Sequence, residues 1–279
     1  MAAQNLPSSQ PSFFRKHSVL AYFLLTFFIS WVGAFLVAAP HLFRHEPIPQ
    51  LAGLIMFPVM LIGPAFSGIF LTHLFDGKPG LKNLFSRMRK FHFRASWYAA
   101  LLIPPAFILI VLFVLETYVS PVYAPNRFWL GFSFGLLAAF LEEIGWMGYA
   151  FPRMRRPGNA LGPAILLGLL WALWHLPVVN FLGTAAPHGA YWFQYFLAFG
   201  VAMAGVRVII CWTYVNTGSI ALAQLFHASS TGFLVVLSPA RVSPAQEVHW
   251  YLVYAAALWV LVAFVSTLSG KSLGRSPSE

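Results

Sequence analysis

Long apolar runs separated by short polar or basic stretches organise the chain. They recur at 19–39, 51–75, 97–117, 129–152, 161–182, 190–213, 219–238 and 248–269. Each is close to the length of about 20 residues with which an α-helix crosses roughly 30 Å of hydrocarbon. This pattern predicts an all-α integral membrane protein of about eight transmembrane helices. The first run is expected to be retained, because its apolar core exceeds that of a signal peptide and further spans follow it. Prolines punctuate the runs, and Pro58 with Pro64, and Pro104 with Pro105, predict kinks that open space between helices. Between the second and third runs lies "DGKPGLKNLFSRMRKFHFRAS". It sets Leu81, Leu84, Phe85 and Met88 at helical spacing opposite Lys82, Arg87, Arg89 and Lys90, as in an amphipathic helix at the membrane interface. The expected organisation is one polytopic membrane domain over 18–270, with disordered cytoplasmic tails at 1–17 and 271–279.

Composition agrees with that reading. With 59% hydrophobic and 9% charged residues and a mean hydropathy of +0.74, too little polar material exists to coat a soluble globule of 279 residues. Charge then supplies an orientation. Of 17 Lys and Arg, all but Arg44, Arg127, Arg207 and Arg241 fall in the tails or in alternate connections on one side. Short basic loops stay in the cytoplasm, so both termini are expected there, and the chain in a bacterial cytoplasmic membrane. The net charge of +10 is explained by topology and anionic lipid, and no interleaving of bases with aromatics suggests nucleic acid. A lone Cys211 makes neither an internal disulfide nor a zinc site.

One stretch breaks the apolar pattern. "FLEEIGWMGYAFPRMRR" puts Glu142 and Glu143 inside the fourth run. A charge at the bilayer centre costs about 2.5–3.5 kcal/mol on insertion scales and requires a partner or a wet cavity. Three other runs each carry an ionisable group at similar depth: His175, Arg207 and His227. Any one of them is explained by a hydrogen bond to a neighbouring helix. Together they offer what metal-free hydrolysis needs, a carboxylate and imidazoles to take a proton from water and to receive an oxyanion. Glu142, His175 and His227 are therefore expected to face a common polar cavity open to the cytoplasmic half of the membrane. Trp171 and His175, and His227 and Thr231, are i,i+4 neighbours on their helices. Glu142 and Glu143 point about 100° apart, which implies different jobs.

In order and spacing, "EEIGWMG" from Glu142, "WALWH" ending at His175 and "HASST" from His227 resemble the three motifs of the CPBP family: E-E-x-x-x-R, F-x-x-x-H and H-x-x-x-N/D. These are the CAAX-protease and bacteriocin-processing membrane enzymes, and the likeness covers about residues 125–240. The resemblance implies an eight-helix fold and glutamate-dependent, metal-independent intramembrane proteolysis with no cofactor. Glu142 and His175 would activate water, and His227 with Thr231 would hold the oxyanion, while Glu143, Arg207 and Trp171 would support them. A peptide or membrane-protein substrate, with lipidated ones among those the resemblance implies, would be the partner.

The chain departs from the motifs at Met147, where the family has arginine, at Thr231, where it has Asn or Asp, and at Trp171 in place of Phe. Arg207 is expected to restore the missing cation by contacting Glu143 from another helix, with Arg153 a second candidate. Two further function classes fit the composition: a peptide-binding chaperone or immunity factor that does not cleave, and a proton- or ion-coupled transporter. The transporter class lacks support from paired broken helices or internal repeats.

Overall fold

The computed structural model describes residues 17–182 and 188–274. The expected tail segments 1–16 and 275–279 lie outside the described residues. Nine helices are named here: α1 (Ser18–Phe43), α2 (Gln50–Met88), α3 (Ala95–Tyr118), α4 (Leu130–Met154), α5 (Leu161–Trp174), α6 (Leu176–Leu182), α7 (Trp192–Thr217), α8 (Ile220–Leu237) and α9 (Pro244–Ser269). Among the described residues seven helices, all but α5 and α6, are long and apolar enough to cross a membrane. The protein is an all-α integral membrane protein.

Differences from the sequence expectation have local causes. The run at 161–182 is two helices, because Pro177 has no N–H to give the Leu173 carbonyl and its ring crowds that carbonyl. The chain turns at His175, whose φ of −72° and ψ of −8° end α5. The amphipathic segment is helical but continues α2 across Gly77, where φ is +64° and ψ −159°, a conformation open to glycine. Leu84 on that extension is fully buried, while Phe85 is 37% exposed. At the C-terminus, Lys271–Gly274 is packed rather than loose. The Lys271 carbonyl accepts from the Ala160 and Leu161 amides, and Leu273 is buried.

α2 keeps helical backbone through Pro58 and Pro64, and Pro104 and Pro105 open an α-helical stretch that follows a 3₁₀ turn at Ala100–Leu102. Prolines also free carbonyls, and neighbouring helices claim them. Pro64 leaves the Met60 carbonyl without its usual donor, and Ser30 Oγ from α1 donates to it at 2.7 Å. Pro105 does the same to Leu101, whose carbonyl accepts from Ser229 Oγ of α8 at 2.5 Å. In hydrocarbon an orphaned carbonyl is expensive, so these hydroxyls fix how the helices meet.

Small residues then let α4 sink into the centre. A Cβ added at Gly135 would lie 2.4 Å from Gly232 Cα on α8, and one at Gly145 would lie 2.3 Å from the Pro64 carbonyl oxygen on α2. Backbone therefore touches backbone on both sides of α4, the helix that carries the two glutamates.

Candidate active site

Glu142 and Glu143 lie in the last turn of the α-helical part of α4, which ends at Gly145, and the next five residues, Trp146–Ala150, form a π turn. α8 repeats the arrangement: His227 ends an α-helical stretch and Ala228–Gly232 is a π turn. A π turn adds a residue to the helical circuit and re-aims the side chains beside it, and such turns recur at functional sites.

The two glutamates have separate surroundings, as their angular separation requires. Glu142 is 1% exposed, and its Oε2 accepts hydrogen bonds from the indoles of Trp146 at 3.0 Å and Trp171 at 2.5 Å. Glu143 is fully buried. Its Oε1 accepts from Arg207 Nη1 at 2.7 Å and from His227 Nδ1 at 2.6 Å, and its Oε2 accepts from Arg207 Nη1 at 2.9 Å. The cation that faces Glu143 thus comes from α7, while Met147, one turn after Glu143 on its own helix, is fully buried. Arg153 is engaged elsewhere, paired with Asp76 and lying over the Tyr149 ring.

Trp171 is the common neighbour. Its ring centroid lies 5.2 Å from that of His175 and 5.1 Å from that of His227, both edge-on, and the Arg207 guanidinium carbon sits 4.1 Å from its centre. With the bond to Glu142, one indole therefore touches groups from α4, α5, α7 and α8. His175 Nδ1 donates to the Trp171 carbonyl at 2.8 Å, which leaves Nε2 as the nitrogen with a lone pair. His227 Nδ1 faces a carboxylate, so its Nε2 is likewise the free nitrogen. His175 and Thr231 are half-buried, in contrast to the enclosed Glu142 and His227.

Thr231 Oγ1 donates to the His227 carbonyl at 3.0 Å. Its one proton is spent within the π turn, and its oxygen is left only as an acceptor. Trp146 is a site residue absent from the sequence-derived set. Its signal was its place four residues after Glu142, one helical turn away. Another is Arg87, on the α2 extension, which donates to the Gly148 carbonyl at 2.9 Å and to the Tyr214 hydroxyl at 2.5 Å, tying the amphipathic segment to the π turn of α4. Among the described residues, no three His, Cys, Asp or Glu side chains are grouped as a metal ion would need.

The segment that carries these residues matches known proteins. A family model described as type II CAAX prenyl endopeptidase Rce1-like matches residues 124–233. CAAX prenyl protease 2 of Methanococcus maripaludis is 27% identical over 249 residues, covering 83% of this chain and 88% of that protein.

Proposed function

Because the chain belongs to the CPBP family of CAAX-protease-like membrane proteins, we propose that it is an intramembrane endopeptidase in which Glu142 and His175 activate water. The observation that carries this reading is the convergence of Glu142, His175, His227 and Arg207 around Trp171, since hydrolysis needs a base, an orienting imidazole and an oxyanion partner within one small volume.

In the proposed step, water bound between Glu142 and His175 Nε2 gives a proton to Glu142 as its oxygen adds to the scissile carbonyl carbon. The carbonyl π pair moves to oxygen, and that oxyanion meets His227. His227 donates from Nε2 when its ring carries both protons, with Nδ1–H directed at Glu143. The intermediate collapses with C–N cleavage, and Glu142 returns its proton to the departing nitrogen. Thr231 acts chiefly by holding the His227 carbonyl, and reaches the oxyanion only by releasing that bond. Glu143 and Arg207 are support: their ion pair sets the orientation of His227. The half-buried His175 and Thr231 mark the side from which a substrate enters. The relative's printed name suggests a prenylated peptide as one substrate class. The basic side of the molecule is assigned to the cytoplasm, and both termini with it.

The test compares membrane-peptide profiles of cells carrying wild type or Glu142→Gln. Glutamine still accepts from both indoles but cannot take a proton as a base, so a peptide that accumulates uncut in the variant is expected, with protein levels matched. Cleavage should persist in the presence of a chelator. Identical profiles would instead favour a protein that binds peptides without cutting them.

A further inference from the structure

Glu142 is held in an unusual way: two tryptophans of different helices donate to the same carboxylate oxygen. We propose that Trp146 and Trp171 form an indole clamp that reserves Glu142 Oε1 for the reacting water, and that Trp146 is a positioning residue of the site. The inference rests on the hydrolytic reading for its kinetic consequence, but the clamp itself is independent of it.

A carboxylate oxygen offers about two lone-pair directions, and on Oε2 two N–H groups fill both. A proton arriving from water is therefore left with Oε1. An indole suits this task because it is a donor only, carries no charge and has no proton to exchange at physiological pH. Lysine or arginine in the same place would form an ion pair that favours the charged carboxylate and so weakens it as a base for the proton of water. The chain thus divides its support: Arg207 and His227 hold Glu143, while two neutral donors hold Glu142. Trp171 stands where the family motif has Phe, so this chain places a donor where a phenyl ring has none.

Both indoles are immobilised. Trp146 is fully buried, edge-on to Tyr22 at 5.6 Å and to Trp174 at 6.1 Å, and stacked on Phe23 at 6.1 Å. Trp171, 1% exposed, is held among His175, His227 and the Arg207 guanidinium. Rings packed in this way cannot swing their N–H groups elsewhere without disturbing several helices. Tyr22 and Phe23 belong to α1, which carries none of the motif residues. α1 thereby reaches Glu142 through Trp146.

The experiment replaces the N–H without changing the shape. Benzothienylalanine at position 146 of the full-length protein in nanodiscs keeps the bicyclic ring and exchanges nitrogen for sulfur. One lost hydrogen bond to a charged group is expected to lower kcat by at least about tenfold. KM should stay within about twofold, as for an interaction used in the chemical step, and the unfolding temperature should fall by no more than the roughly 10 °C that one lost buried hydrogen bond accounts for. In parallel, indole resonances of isotope-labelled tryptophans are recorded for wild type and Glu142→Gln. Those of Trp146 and Trp171 should both move, whereas that of Trp174, whose buried N–H has no protein partner, should not. An unaltered kcat with the isosteric residue, or a Trp146 resonance indifferent to Glu142→Gln, would overturn the proposal. If wild type cleaves nothing, that failure belongs to the functional reading, and the resonances alone decide the clamp.

Discussion

Replacing Arg207 with leucine should be among the most damaging single changes outside the reacting groups. Arg207 and Glu143 are both fully buried, and Nη1 reaches both carboxylate oxygens at 2.7 and 2.9 Å. Arg207→Leu removes these bonds and the contact with the Trp171 face, and leaves Glu143 with His227 as its remaining partner. Breaking one side of a buried pair costs about 3–5 kcal/mol, and a desolvated cation–π contact adds up to about 2. A loss of about 4 kcal/mol is therefore expected. Cys211, the chain's single cysteine, is buried one turn after Arg207, so the reaction of its thiol with a maleimide dye reports unfolding with no engineered label. Met147→Arg should destabilise the wild type, because a second cation is forced into a filled space. In the Arg207→Leu background it should restore at least about 2 kcal/mol, since the new guanidinium lies one turn from Glu143. If the two changes are additive within about 0.5 kcal/mol, Glu143 does not depend on a nearby cation and the reasoning fails.

Two further outcomes follow from the packing of α8. Thr231→Val should lower kcat by less than about tenfold, whereas His227→Ala should cost about 10²–10³, because the Thr231 proton is already engaged; equal losses in steady-state cleavage of a membrane peptide would refute that division. Gly135→Ala should destabilise by about 1–3 kcal/mol in the same thiol-reactivity assay, because its Cβ would meet backbone of Gly232 at 2.4 Å and the helices must part. An alanine variant as stable as wild type would show that the α4–α8 contact is looser than described.

The membrane class is legible in the apolar runs alone, because the hydrocarbon imposes a run length that needs no tertiary knowledge. It also made the Glu143–Arg207 contact legible. A carboxylate without a cation on its own helix face requires one from elsewhere, and Arg207 is the only Lys or Arg well inside another span. Other features were decided by the tertiary structure. The break at His175 follows locally from Pro177, but the α2 extension is joined to the bundle by Arg87, which reaches both the α4 π turn and Tyr214 of α7. The π turn of α4 follows Gly145 and that of α8 ends at Gly232, both at close backbone contacts between helices that no local pattern specifies. Trp171 reads as one more aromatic residue until its N–H meets Glu142 of another helix. Apolar pattern is additive along the chain and so can be read from it. Which acceptor a single N–H takes across helices depends on what the fold sets beside it, and only folding brings the Trp171 indole of α5 to Glu142 of α4.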